Sequence, residues 1–409
     1  MTMWIASKIR RRAVLALFAA TSLLALERVA HAEEPGVSPQ ALKIGILGSL
    51  TGPAAIFGTG NLAGATLAFE EVNAAGGING RQLEWVSLDD ESSPPKGIVA
   101  YKRLVDQEEV FAVFGPASSA VGQALVPTMK QSGTPTFITI FSTPAVTEPP
   151  IDNVFRSGTM SDSQAGAAIA DYVVDHLGAK SVALIRQSDE YGKHGGDSVI
   201  ERLAERNVGL ASDEQFNVTD TDFTSQLARI VQTGPDVLVI YGFPNPTAII
   251  TRQAKQLGLT ATIMGSNAAG SRKYPEIVGD AAAGTHNVVT LTVLPEGSDP
   301  LALEFGAKFV ARFPDLARQG RPDLADVLAY GGAQVFLEGL KRAGAEPTQQ
   351  GLIDALETIK AFKAPFILPT TYGEGIREGN QAAGVVEIQS DLSRKLMPFV
   401  LSASNGSSQ

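Results

Sequence analysis

Ser118 and Ser119 stand side by side in GPASSAVGQALVPTM (115–129), between an apolar strand and the first turn of an expected helix. A helix start leaves backbone N–H groups without intrahelical partners. A serine there can act as an N-cap, or its hydroxyl and the free N–H groups can hold a carboxylate or phosphate. Both readings stand on this fragment alone. Phe57, Ile140, Ser142, Tyr191, Phe243 and Asn267 fall at other expected strand ends and loop starts. Apolar walls with a few placed polar groups are the usual make-up of a small-molecule pocket. The competing assignments are core packing for the aromatics and a turn in GSNAAG for Asn267.

Signals for enzyme chemistry are sparse. His176, His194 and His286 show no metal-ligand spacing, and the chain has no cysteine, no G-x-S-x-G elbow and no P-loop. Gly58-x-Gly60-x-x-x-Gly64, with Asp89 and Asp90 after the second strand, has the look of a dinucleotide fingerprint. That motif needs its first glycine in the turn directly after the strand, whereas a long stretch follows Leu47 here, so nucleotide binding is not expected. Asp89-Asp90-Glu91 could ligate a cation, but a solvated strand end is the simpler expectation. Neither a metal nor a cofactor is expected.

The elements that must position these residues alternate. Strands are expected at 42–50, 81–91, 110–115 and 134–142, with helices at 61–75, 96–108 and 119–132 between them. After the Pro-rich connection TEPPIDN (147–153) the pattern restarts. Helices at 164–177, 194–206, 223–233 and 246–257 alternate with strands at 181–187, 209–216, 236–242 and 262–266. Such alternation argues for two parallel sheets covered by helices. A β-rich segment (285–295), helices at 300–312, 323–343 and 348–359, and strand-like pieces from 366 to 389 follow. They lack the strands for a third domain, so the chain should cross back to the first half and then to the second, forming a hinged clamshell. Ligands of open α/β sheets bind beyond the carboxyl ends of strands at topological switch points, where 115–119 and 140–142 fall.

Lys8, Arg10, Arg11 and Arg12, the apolar run Ala13–Leu26 and Ala30-His31-Ala32 read as a cleavable signal peptide over residues 1–32. The apolar run is shorter than the roughly 20 residues of a membrane-spanning helix. Without cysteine there is no lipoprotein anchor, and a soluble periplasmic protein is expected. The remaining length suits two domains of about 150–200 residues. The net charge of −10 argues against nucleic acid and anionic membranes as partners.

These stretches together resemble the periplasmic leucine/isoleucine/valine-binding protein family, the capture subunits of branched-chain amino acid ABC importers. The resemblance runs from Leu42 to about Gln389 and is carried by LKIGILGSLTGPAAIFG, GATLAFEEVNAAGGINGRQLEWVSLDDESSP, VFAVFGPASSA, QSDEYGKHG and the FTSQLARI–PDVLVIYG pair. It implies two doubly wound α/β lobes joined by a three-segment hinge, the type I clamshell. The lobes are expected at 33–157 plus 290–365 and at 158–289 plus 366–401, with a disordered tail at 402–409. The hinge is expected near Arg156–Met160, Asn287–Leu294 and Ala364–Thr371.

The resemblance also assigns roles. Ser119 matches a serine that binds the ligand carboxylate, and Ser142 matches a threonine that helps hold carboxylate and ammonium. Ile140 matches a residue contributing through its backbone, and Tyr191 matches a tyrosine of the second lobe that closes over the ligand. Phe57 and Phe243 stand where the family has tyrosines. Asn267 stands where the family carries an acid against the ligand ammonium, and Asn supplies no negative charge. A buried ammonium without a counter-charge costs several kcal/mol, so a carboxylate lacking the α-ammonium is expected unless Asp162, Asp189 or Glu190 replaces the charge. The expected function is periplasmic capture of a small carboxylate by a monomer that delivers it to an ABC permease. A sensor docking on a receptor, a binder of amides and an exported hydrolase are the other readings; no base recognisable beside either serine supports the last.

Overall fold

The computed structural model describes residues 34–397 and 401–402; the expected signal peptide and residues 403–409 lie outside them. Five strands build a first, all-parallel sheet: β1 (Ala41–Gly48), β2 (Gln82–Asp89), β3 (Ala112–Phe114), β4 (Thr136–Ile138) and β5 (Val154–Arg156), in the order β2-β1-β3-β4-β5. Helices α1 (Ala55–Ala74), α2 (Pro94–Asp106) and α3 (Ser119–Ser132) connect the first four. The second sheet begins with β6 (Ser181–Gln187), β7 (Gly209–Phe216), β8 (Val237–Tyr241), β9 (Thr262–Gly265) and β10 (His286–Val289), all parallel. Its order, β7-β6-β8-β9-β10, repeats the topology of the first. Around it run α4 (Asp162–Asp175), α5 (Glu190–Glu205), α6 (Thr224–Thr233), α7 (Pro244–Gln256) and the short α8 (Lys273–Val278). The expected α/β architecture with two parallel-rich sheets is therefore present.

The last third supplies α9 (Pro300–Arg312), α10 (Pro314–Ala317), α11 (Leu324–Ala343) and α12 (Gln349–Glu357), then β11 (Ala382–Ile388), β12 (Arg394–Leu396) and β13 (Leu401–Ser402). β11 adds antiparallel to β10, and both β12 and β13 pair with β11. Ser402, expected in the tail, is thus paired. Helix α11 returns to the first sheet. Its Phe336 meets Phe69, Phe114 and Phe137 at ring distances of 5.5–6.3 Å. The Gly58–Gly64 pattern finds its physical use at the contact of α1 with α11. A Cβ on Gly60 would lie 2.4 Å from the Ala325 Cβ, and one on Gly64 2.2 Å from the Asp326 carbonyl. These glycines let two helices approach closely.

Three connections join the two sheets, and they bond to one another. The Ser157 and Thr370 hydroxyls are 2.7 Å apart, and Asn380 Nδ2 donates to the Thr159 carbonyl at 3.1 Å. Thr292 N–H donates to the Phe366 carbonyl at 2.7 Å, and the Thr290 hydroxyl donates to that of Gly158. Buried Arg156 pairs with Glu378 at 2.5 Å beside them.

Several boundaries differ from expectation. α1 starts at Ala55 rather than 61, and α5 at Glu190 rather than 194. Glycines in the first two turns of both argue for loops by propensity, but at Gly60 and Gly195 neighbours occupy the space a side chain would need. A Cβ on Gly195 would lie 1.8 Å from the Tyr241 ring. Strand β5 and helix α8 were not expected. Within 366–389 the structure has one regular strand, β11, with isolated bridges before it.

Candidate functional site

The shared topology fixes where a site can form. In each sheet the chain order reverses beside the first strand, between β1 and β3 and between β6 and β8. Such switch points open a crevice at the strand carboxyl ends. Phe57 follows β1, Ser119 follows β3, and Ile140 and Ser142 follow β4; Tyr191, Phe243 and Asn267 follow β6, β8 and β9. Those seven residues all line one cavity of about 40 Å³, where a single buried water takes roughly 10–15 Å³. Sequence reasoning placed all seven at strand ends; the structure brings them together.

On the first-sheet side the turn into α3 is set by Gly115. Its φ of +118° suits glycine, and a Cβ there would lie 1.9 Å from the Leu47 carbonyl. Ser118 is the N-cap residue of α3 and Ser119 the first residue of the helix, but no side chain caps it. The capping reading of the two serines is therefore not realised. The first helical bond runs from Gly122 N–H to the Ser118 carbonyl at 2.8 Å, so the amides of 119–121 precede it. The Ser119 hydroxyl accepts from Ser142 N–H at 3.2 Å, which leaves its proton for another acceptor. An uncapped helix start and two buried hydroxyls form a place for negative charge.

On the opposite wall the groups engage one another. The Tyr191 hydroxyl donates to Asn267 Oδ1 at 2.5 Å, and Ala268 N–H donates to the same oxygen at 3.0 Å. Asn267 Nδ2 donates to the Thr159 hydroxyl at 3.3 Å. Phe57 and Phe243 bring ring centroids to 5.2 Å, Phe243 and Tyr191 to 5.4 Å, and Tyr191 and Tyr241 to 4.8 Å. Burial holds the Tyr191 and Tyr241 hydroxyls protonated, far above the ordinary tyrosine range.

No charged side chain is among the residues lining the cavity. Asp162 lies behind it, fully buried, with its N–H on the Ser142 carbonyl at 2.7 Å and Oδ1 accepting from Tyr241 at 2.8 Å. Burial pushes its carboxyl up to about 7 against the favourable influence of Ser142, Tyr241 and Arg156. Asp189 caps α5, and Glu190 lies 3.2 Å from His194. Thus none of the three acids considered as replacement charges reaches the cavity wall. Sequence reasoning missed Thr159, Thr290, Leu324 and Leu328 on the lining. The first two sit within expected hinge segments, a signal that could have found them; Leu324 and Leu328 arrive on a returning helix.

The remaining candidates have structural places. Asp89 and Asp90 organise the loop ahead of α1. Asp89 Oδ1 accepts from Leu50 N–H at 2.8 Å, and Asp90 Oδ1 accepts from the Ser49 hydroxyl at 2.6 Å. Asp90 is buried rather than solvated, and among the described residues no acid or histidine cluster is placed to hold a metal. His286 bonds Tyr172 at 3.1 Å, away from the cavity. No helix among the described residues is long and apolar enough to cross a membrane.

Residues 41–393 match the family described as periplasmic binding protein. The leucine-, isoleucine-, valine-, threonine- and alanine-binding protein of Pseudomonas aeruginosa is 27% identical over 351 residues, covering 84% of this chain and 89% of that protein. A branched-chain amino acid transporter substrate-binding protein of Streptococcus pneumoniae, solved with isoleucine, aligns at 25% identity and a TM-score of 0.74 over 88% of this chain and 99% of its own. A solute-binding protein of R. palustris, solved with benzoate, shares the fold at a TM-score of 0.76 and 20% identity, covering 89% and 96% of the two chains. Extending over almost every described residue, the match shows that this chain belongs to the periplasmic binding protein family, whose members bind solutes and do not transform them.

Proposed function

We propose that this chain captures a small carboxylate lacking an α-ammonium, an aromatic or aliphatic organic acid, in the periplasm and delivers it to the permease of an ABC importer. One observation carries the choice of ligand: Asn267 occupies the far wall of a cavity with no charged lining residue, its carboxamide already bonded to Tyr191 and Thr159. An ammonium there would be buried without a counter-charge, at a cost of several kcal/mol. The ligand carboxylate would take the Ser119 hydroxyl, the amides at the start of α3 and Ser142, with the Ile140 backbone beside them. Phe57, Tyr191 and Phe243 would enclose its apolar part.

In this reading residues 33–157 with 290–365 form one lobe, and 158–289 with 366–401 form the other. The bonded connections near 156–160, 287–294 and 364–371 would be the hinge. A ligand favours the closed form only through its additional contacts there. The fold accommodates both kinds of head group, since one relative holds isoleucine and another benzoate. Delivery to a permease follows the transporter named for the isoleucine-bound relative.

The test is a thermal-shift screen with matched sets: leucine, 4-methylpentanoate and 4-methylpentanamide; phenylalanine and 3-phenylpropanoate; benzoate and benzamide. A ligand at about 100 times its Kd adds about 2.7 kcal/mol. The acids should raise the midpoint and their amino acid partners should not. Micromolar binding of leucine would overturn the ligand assignment, and binding confined to the amides would replace it.

A further inference from the structure

Two cavities meet at one pair of rings. The inner cavity holds the polar wall and measures about 40 Å³. Outside it lies a groove of about 370 Å³, lined by Ile56 on one side and by Val218, Pro244 and Pro246 on the other. Phe57 and Phe243 line both spaces and are the residues common to them. Their centroids are 5.2 Å apart, ring-to-ring contact distance. The rings therefore stand as a partition in what would otherwise be one continuous slot.

Both rings are held from behind. Phe57 lies in the first turn of α1, where Gly58 presses on the Ser49 backbone so closely that a Cβ would lie 2.1 Å from its carbonyl oxygen. Phe243 N–H donates to Gln187 Oε1 at 2.6 Å, Pro244 follows at the first position of α7, and Tyr191 backs the ring. The outer groove has no charged lining residue. Exposed Thr219 and Asn245 line it too, and its remaining apolar side chains suit a hydrocarbon tail.

We infer that Phe57 and Phe243 set the maximum length of the ligand: a carboxylate head and a short apolar body fill the inner cavity, and the ring pair stops any longer tail from entering the outer groove. The inference rests on the carboxylate reading of the inner cavity. Removing either ring joins the two spaces. Each methylene then buried in the groove gains about fourfold in affinity, so three gain about fiftyfold.

The experiment is isothermal titration of the purified chain with straight-chain acids from propanoate to decanoate and with the matching primary amides. For the unmodified chain, affinity peaks at a short acid and falls about tenfold or more beyond it. Phe243→Ala and, independently, Phe57→Ala move the peak to acids about three carbons longer, and Phe243→Leu gives an intermediate shift. Val218→Asp in the Phe243→Ala background removes the gain while short acids bind as before. Decanoate bound by the unmodified chain as tightly as its best short acid overturns the inference. So do alanine variants that keep their unliganded melting temperature without moving the peak. Amides that show the peak and its shift while no acid binds uphold the length limit and overturn the carboxylate reading.

Discussion

Asn267→Asp should convert the site toward amino acids, and the structure allows the size of the change to be worked out. Asn267 Oδ1 accepts from Tyr191 at 2.5 Å and from Ala268 N–H at 3.0 Å; a carboxylate oxygen accepts both, and more strongly. The single contact that reverses is the 3.3 Å donation from Nδ2 to the Thr159 hydroxyl, and a hydroxyl can rotate to donate instead. The fold should therefore tolerate the change. A hydrogen bond to a charged partner contributes about 1.5–3 kcal/mol, so the ammonium should favour leucine over a deaminated acid by about 10- to 150-fold. A deaminated acid should lose. Two carboxylates about 6 Å apart repel by about 3 kcal/mol at an effective dielectric constant near 20. Leucine carries the same carboxylate and meets the same repulsion, so that cost cancels and the ratio of leucine to 4-methylpentanoate affinity should shift by the ammonium contribution, about 10- to 150-fold. Isothermal titration of both ligands against both proteins at pH 7 measures it. A folded variant whose ratio moves less than about tenfold would refute the reasoning, because the position would then not face the ligand's α-carbon.

Other perturbations follow from the same contacts. Ser119→Ala removes the acceptor of Ser142 N–H, costing about 0.5–1.5 kcal/mol of stability, and should weaken acids more than amides in parallel titrations. Gly64→Ala sets a methyl 2.2 Å from the Asp326 carbonyl and should destabilise by about 1–3 kcal/mol, read as a lower urea midpoint at unchanged slope. Burial raises the carboxyls of Asp162 and Glu378 to about 7 and that of Asp326 to about 6, so in the intervening range the native state keeps protons that the unfolded chain has lost. Their contribution to stability is full below about pH 4 and is lost as pH rises through 6 to 7. Melting temperature should thus decline from pH 5 to 8, and Asp162→Asn, which retains an acceptor for Tyr241, should flatten the decline.

Much of the architecture was legible because its signals are local. Apolar runs bounded by turn residues mark strands such as Ser181–Gln187, and the restart after the Pro-rich connection marks the second sheet. What escaped depends on neighbours distant in sequence. The glycines early in α1 and α5 argue for loops until Ala325 is seen beside Gly60 and Tyr241 beside Gly195. Asp90 reads as a solvated strand end, but Ser49, about forty residues earlier, buries it in a hydrogen bond. The cavity shows the same division. Residues that follow a strand directly were identifiable from strand ends, whereas Leu324 and Leu328 reach the site on α11 only after the chain has left the first sheet and returned.

The way polarity is divided between the two walls bears on how such a site would select its ligand. The equivalent positions after the three strands nearest the switch point carry Phe57, Ser119 and Ser142 on one side and Tyr191, Phe243 and Asn267 on the other. Negative charge can be accommodated by the first wall alone, through hydroxyls and the start of α3. The second wall offers rings and a carboxamide that already has its partners. Head-group binding would then barely distinguish open from closed, since it uses one wall. Closure would be driven by the apolar body, which alone touches both. The carboxylate would thus decide whether a solute binds, and its hydrocarbon would decide whether the lobes shut. Ser118 fits this division. It holds extended N-cap dihedrals but caps nothing, and a bound carboxylate would do for α3 what a side chain does for α4 and α5.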